Sequence, residues 1–552
     1  MSAPRAERER QAIVAARTRG RGAVLRTYAR LSGPGWLQSA ITLGGGSLAG
    51  SLYLGVLGCY ELLWLQPLAM AAGVVMLSAI SYVTLSSGAR PFDLMRRHLS
   101  PVVAWAWALA TLVASMVWSL PQFALGAAAI QQNLMPSAAV AGPGSTAAIV
   151  AALLAGGLGA VWLWDGRGRG RVIFEVLLKA MVGLVVLSFI AVAVLVAWRG
   201  GLPWGDLFAG LVPRPALLFE PTTAIGQAID AVPVAAQEFW RAAVIADQRD
   251  VMVSAAATAV GINMTFLLPY SMLARGWTRE HRGLAIFDLA LGLFVPFALA
   301  TSCVVIAATA QFHADPDPRL LAGDPAPAAM QADFDRRLAE RTAADAAPID
   351  AAERRLAAML VRRDAADLAA ALSPLGAGGG GRVVFGIGVL GMAWSTIILL
   401  MLISGMAFAE MLGRGDAPAA RRIGSVLAAV GVLGPFVWHG KTQFWLAVPT
   451  SVFGFTLLPI AYTAFVLLLN HRGLLGADRP RGATALLWNA ALWLALAVTT
   501  LGAAWVVWAK AGWWGVSAFG LLVAAAWATR PRGGAAALAA SPAAARRSGD
   551  TS

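Results

Sequence analysis

The sequence predicts an all-α integral membrane fold of about twelve spans, with the first and sixth spans interrupted near mid-depth. Three observations lead there. Of 552 residues, 58% are hydrophobic and 13% charged, and apolar runs of about 20 residues, each long enough to cross a bilayer, recur along most of the chain. Arginine collects in alternate connections, as expected when every second loop stays on one side of the membrane. Finally, two of the apolar runs carry helix breakers where a plain span would have none: Gly44-Gly45-Gly46 and Pro269.

The first thirty residues carry Arg5, Arg8, Arg10, Arg17, Arg19, Arg21, Arg26 and Arg30. They lack the apolar core and small-residue cleavage site of a secretory signal, so residues 1–31 read as a basic cytoplasmic tail. The first span, about 36–58, begins in Gly33-Pro34-Gly35-Trp36-Leu37-Gln38 and runs into Gly44-Gly45-Gly46-Ser47. Each glycine disfavours helix by about 1 kcal/mol relative to alanine. Backbone groups freed inside hydrocarbon are tolerated only against protein or a wet cavity. Glycine as a helix-packing surface is the competing reading of the same three residues.

Spans two to five are expected at about 61–85, 102–131, 147–164 and 176–198. The second-to-third and fourth-to-fifth connections hold Arg90, Arg96, Arg97 and Arg167, Arg169, Arg171. Glu175 and Lys179, four apart, suit a local ion pair. Residues 199–250 interrupt the rhythm with Pro203, Pro213, Pro215 and Pro221. The half-apolar stretch after them holds Asp230, Glu238 and Arg241, so it reads as an external insertion with a surface or re-entrant helix. The sixth span is then expected from Val251, broken by Pro269 within Asn263-Met264-Thr265-Phe266-Leu267-Leu268-Pro269-Tyr270. A seventh covers about 286–310. Residues 311–382, with alternating charges from Ala328 to Leu372, read as an external helical cap over a pore mouth. The Gly378–Gly381 tract leads back to the membrane. Spans eight to twelve follow at about 383–409, 423–438, 443–469, 484–508 and 513–529, with a brief turn at Lys441 and a disordered tail over 531–552.

The organisation is thus 32–198 as a first set of five spans, 251–469 as a second, and 470–530 as a final pair. Both termini lie in the cytoplasm. Breaks at matching places of two five-helix sets point to an inverted-repeat transporter whose site sits at mid-membrane between them. The candidate substrate-binding residues are Thr42, Gly44, Gly45, Gly46, Ser47, Asn263, Leu267, Leu268, Pro269 and Tyr270, with Gln38 nearby.

Other chemistries are poorly supported. A net charge of +14 sits in loops and tails, where it orients the protein rather than binding nucleic acid. Cys59 and Cys303 have no metal or disulfide spacing, and Asp315 with Asp317 lacks the other positions of a calcium loop. Gly386-Ile387-Gly388-Val389-Leu390-Gly391 matches a dinucleotide fingerprint but lies in a span, where helix packing explains it. His98, His281, His313, His439 and His471 form no triad. Trp105, Trp107 and Trp438 suit an interfacial belt, and Trp394 suits packing within the eighth span. No nucleophile–base or carboxylate pair falls at one depth, so no enzyme and no cofactor is expected.

Gly33-Pro34-Gly35, the first break, Leu62-Leu63-Trp64 at the second span and the order of spans resemble the Nramp (natural resistance-associated macrophage protein) divalent metal transporters, in a divergent bacterial branch. The resemblance runs from about Ser32 through the tenth span, outside the two insertions. It implies a LeuT-like five-plus-five fold, alternating access, metal ion transport and a bacterial inner-membrane location. The family's Asp-Pro-Gly-Asn run falls on Gly44, Gly45, Gly46 and Ser47. Its Met-Pro-His run falls on Leu268, Pro269 and Tyr270. By position, the metal would meet Gly44, Ser47 and Leu268, with the side-chain ligands altered. Neutral oxygens suit a partly hydrated magnesium-like ion better than a soft metal. A neutral or singly charged organic solute fits the same residues, and a transport-inactive sensor is a third reading. Glu61, Asp288 and Glu410 fall near span ends, where an interfacial place is expected. With no ionisable residue at depth, proton coupling is expected to be weak or missing.

Overall fold

In hydrocarbon a backbone can satisfy its own polar groups only as helix or closed barrel, and this chain takes the helical solution throughout. The computed structural model describes residues 5–136, 142–165, 169–200, 202–345, 347–363, 367–369, 380–437 and 447–531. Lys441, Trp438, His439, Arg167, Gly378 and Gly379, and the tail from Arg532 onward lie outside the described residues.

Two short helices, α1 (Arg5–Thr18) and α2 (Arg21–Leu31), precede the membrane part. The first span is split into α3 (Pro34–Thr42) and α4 (Gly45–Gly58), which meet at 57°. Next come α5 (Leu65–Ser87), the amphipathic α6 (Pro91–His98), α7 (Pro101–Ala128), α8 (Pro143–Asp165) and α9 (Arg169–Gly200). Short α10 (Trp204–Ala209) and α11 (Thr223–Asp230) lead to the sixth span, α12 (Val234–Ala257) and α13 (Ile262–Ala274). The seventh is α14 (Arg282–Leu289) and α15 (Val295–Phe312), joined by a π turn. Helices α16 (Pro318–Ala322), α17 (Ala328–Ala344) and α18 (Ala351–Met359) make up the described part of the insertion expected as a cap, and take that label. Then follow α19 (Gly380–Met411), α20 (Pro418–Leu427), α21 (Gly434–Val437), α22 (Ala447–Asn470), α23 (Arg472–Leu475) and α24 (Gly482–Ala528).

Among the described residues, ten helices are long and apolar enough to cross a membrane, or eleven with the bent first pair. The last, α24, has 47 residues, about 70 Å if straight at 1.5 Å per residue. It is not straight. Gly512 takes φ 54°, ψ −143°, a conformation open essentially to glycine alone, and the chain doubles back there. Trp508 and Trp513 meet edge to face at 5.0 Å. Thr529 comes back to Ser100 at 2.6 Å, while the other end of α24 stays by Asp478, whose carbonyl accepts from Tyr82. Eleven spans with the last counted twice give the expected twelve crossings.

The connections sort onto two faces. On one, Arg17 reaches Glu280 O, Arg282 reaches Ser86 and Asp478, Arg90 pairs with Glu410 and Asp416, and Arg171 donates to Ala274 O. This basic face therefore carries the N-terminal helices and the arginine-bearing connections. On the other, Arg214 pairs with Glu61, Thr222 donates to Leu57 O, His313 contacts Val56 O and Lys510 pairs with Asp250.

Several expectations need correction. The sixth span begins at Val234, earlier than Val251, so the stretch read as a surface helix belongs to α11 and α12. Within α12, Asp247 pairs with Arg337 of the cap at 2.8 Å. The N-terminal tail is helical and docked: Glu9, 6% exposed, accepts from Trp277 Nε1 at 3.0 Å. Glu175 meets Arg275 at 2.8 Å, and Lys179 donates to Ser32 O at 2.7 Å, so both reach beyond a local pair. Asp288 and Glu410 are buried, at 1% and 6% exposure, not interfacial.

Candidate functional site

The first break needs room more than unusual torsions. Leu43 (φ −79°, ψ 73°) and Gly44 (φ −129°, ψ −173°) leave the helix without entering the left-handed region. A side chain at Gly44 would put its Cβ 2.6 Å from Thr396 Oγ1, and one at Gly46 would lie 2.7 Å from Ser451 Oγ. The start of α4 has backbone N–H groups with no intrahelical partner. Gly44 N–H donates to Ser47 Oγ at 3.1 Å and Gly45 N–H to Gln122 Oε1 at 2.8 Å. Ser47 Oγ returns a bond to Gly44 O at 2.9 Å.

The second break lies between Thr258 and Gly261, ahead of the Asn263–Tyr270 run expected to form it. Pro269 sits inside α13. The physical reason is local. The carbonyls of Thr258 and Ala259 turn to the hydroxyl of Thr42, 2.7 and 2.9 Å away, rather than to helical N–H groups. Gly261 lies flat against the Trp118 ring, where any Cβ would collide. One threonine of the first break thus ties directly to the second.

Between the breaks is a cavity of about 50 Å³ lined by Thr42, Gly44, Gly46, Ser47, Asn263 and Met264, with Thr258, Trp118, Gln122, Thr396, Thr450 and Ser451 closing it. Gly46, Trp118 and Thr258 are partly exposed, while Thr42 and the α13 residues are buried. The cavity therefore faces away from the basic face. Below it, Phe266 stacks between Trp107 (4.6 Å) and Tyr270 (4.5 Å).

Of the sequence-predicted residues, Thr42, Gly44, Gly46, Ser47 and Asn263 come together at this cavity, and Gly45 sits beside it holding Gln122. Leu267, Leu268, Pro269 and Tyr270 do not line it. They descend along α13 as the closed floor, with Leu267 and Leu268 at 0% and 1% exposure. Leu268, the metal position that the resemblance implied, thus lies outside the lining of this cavity. Sequence reasoning missed Trp118, Gln122, Thr258, Thr396, Thr450 and Ser451. Gln122, an amide beside Pro121 in mid-span, was the visible signal.

The polar groups of the wall are all neutral (hydroxyls, carboxamides, backbone groups and one thioether) and are set among the apolar Ile41, Trp118, Pro121 and Ala257. Among the described residues no group of three His, Cys, Asp or Glu could hold a metal. Asn263 is 0% exposed, and neither its Oδ1 nor its Nδ2 has a hydrogen-bond partner in the protein. Gln38, one turn below Thr42, is in the same position. Each such group costs about 1–3 kcal/mol when left unsatisfied. Asn263 is therefore a buried polar side chain at the cavity wall with its bonding capacity unused inside the protein.

No curated protein matches the chain in sequence. Solved structures of the Eremococcus coleocola manganese transporter share its fold. A single-site mutant gives a TM-score of 0.61 at 13% identity. The complex with an aromatic bis-isothiourea substituted compound gives 0.61 at 14%. Each match covers 91% of this chain and 93% of the other. The sequence model of the Nramp, or natural resistance-associated macrophage protein-like, family matches residues 35–509, and this chain belongs to that family.

Proposed function

We propose that the protein is a secondary active transporter that moves a metal cation across the membrane by alternating access, through the cavity between its two broken spans. The observation that carries this is the cavity itself: neutral oxygen donors from both breaks around about 50 Å³. That volume admits on the order of four water-sized bodies, a cation with part of its hydration shell.

The cargo is a divalent ion that keeps much of its water, with magnesium as its type. Stripping a dication costs several kcal/mol that only anionic or strongly donating ligands recover, and the cavity offers none. Magnesium holds several waters and accepts oxygen around them. The membrane is the bacterial inner membrane, with the basic face and both termini in the cytoplasm, supported by the arginine bias of that face. The manganese cargo of the Eremococcus coleocola protein is the competing reading. Uptake by proteoliposomes across a panel of divalent and monovalent ions decides between them. Saturable magnesium uptake is expected. Manganese uptake with no magnesium competition contradicts the cargo, and no uptake of any ion leaves the transport-inactive sensor.

A further inference from the structure

We infer that Gln122 of α7 and Thr396 of α19, rather than the glycine run itself, determine which cation the cavity accepts. The inference rests on the cavity being the transport site. Each glycine of the first break is enclosed by a side chain from another span. The Cβ of a residue at 44 would lie 2.6 Å from Thr396 Oγ1, 3.3 Å from Thr396 Cγ2 and 3.3 Å from Gln122 Oε1. At 45 it would lie 3.0 Å from Leu125 Cδ2 and 3.3 Å from Gln122 Oε1. Cβ contacts closer than 3.0 Å need something to move, and Thr396 has little freedom. Its hydroxyl donates to Met392 O at 2.8 Å and lies 3.4 Å from both Ala40 O and Ile41 O, at 3% exposure.

Gln122 is fixed in the same way. Its Oε1 is the acceptor for Gly45 N–H at 2.8 Å, which sets the amide's orientation and leaves Nε2 as its other polar atom. The two side chains thus fill the space a carboxylate at position 44 would occupy and replace it with neutral groups. A cation here meets no negative charge, so it cannot exchange its water for protein ligands at the cost a transition metal would accept. Ions that dehydrate reluctantly are favoured.

Four proteins test this: the parent, Gln122→Glu, Gly44→Asp, and Gly44→Asp combined with Thr396→Ala. Gln122→Glu has the same shape and keeps an acceptor for Gly45 N–H, and the melting temperature of the ion-free variant reports the cost of the buried carboxyl separately from ion binding. Two readouts are taken with Mg²⁺ and Mn²⁺: uptake competition in proteoliposomes, and the ion-induced rise in melting temperature of purified protein. Gln122→Glu is expected to raise Mn²⁺ affinity relative to Mg²⁺ at least tenfold. Gly44→Asp alone should bind Mn²⁺ no better than the parent, because Thr396 occupies the space. The double variant should exceed it at least tenfold. A Gln122→Glu ratio within twofold of the parent overturns the inference, as does Gly44→Asp alone gaining as much as the double. If the parent moves no cation, the transport reading fails, while the melting shifts still decide the selectivity claim.

Discussion

Asp288 holds the inner end of the first broken span, and removing it should release that half-helix. The carboxylate lies at 1% exposure in α14. It accepts from Gly33 N–H at 2.9 Å, from Gly35 N–H at 2.6 Å and from the Ser32 hydroxyl. Two of these donors are the unpaired N–H groups that open α3, and a negative charge there also suits the positive end of the helix dipole. Asp288→Ala leaves both N–H groups buried without partners, at about 1–3 kcal/mol each. A net loss of about 3 kcal/mol corresponds to roughly a hundredfold increase in the released state. The assay places Gln38→Cys, a fully buried position in α3, in a background with Cys59 and Cys303 replaced by serine. An impermeant maleimide is then applied from the basic face. Labelling should accelerate at least tenfold in Asp288→Ala and less in Asp288→Asn, which keeps one acceptor oxygen. Equal labelling rates in all three would refute the anchoring role.

Two further outcomes concern the cap. Arg341 and Glu353, at 2% and 1% exposure, pair at 2.7 Å, and Glu353 also accepts from Trp240 Nε1 at 2.8 Å. Glu353→Ala leaves the buried guanidinium with only the Asp345 carbonyl at 3.1 Å and its carboxylate at 3.6 Å, a loss of up to about 3 kcal/mol. It should open 328–359 to trypsin, whereas the paired change Glu353→Met with Arg341→Met should protect it better. Hydrogen bonds from Arg319, with Arg363 beside it, hold the Asp317 carboxyl well below the usual carboxylate range. A depressed folded value stabilises above the unfolded value near 3.9 and is lost as pH falls. Cap protection should therefore be flat from about pH 7 to 5 and decline below about 4, and Asp317→Asn should lessen that decline, the remainder coming from Asp333, which, against its burial, Arg337 and Arg336 also hold low.

The membrane architecture was legible because apolar runs and arginine alternation report bilayer crossing directly. The first break was visible as three consecutive glycines, although a helix-packing surface was an equal reading of them and only its match to a second break favoured an interruption. The second break was misplaced because proline is the louder signal. Pro269 is absorbed within α13, and the chain opens earlier at Thr258–Gly261, where Thr42 captures the carbonyls. Nothing local to Thr258 reveals a partner 216 positions away. Charge misled the reading of Val234–Asp250, because those residues are one continuous helix with the outer part of the sixth span and Asp247 is met by Arg337. The far wall was hidden for the same reason as the second break: Gln122, Thr396 and Ser451 are ordinary polar residues in sequence, and only packing brings them to the glycines.

The central claim is tested most directly by Asn263→Leu, measured for stability and for cation uptake together. Leucine has the same branching as asparagine, and although its methyl groups are bulkier it removes a buried amide that has no partner inside the protein, so the melting temperature should hold or rise, by an equivalent of up to about 1–3 kcal/mol. Uptake should fall at least tenfold, because an apolar group would then face the ion. A variant that is as stable as the parent and transports as fast would show that the cations do not pass between the two breaks.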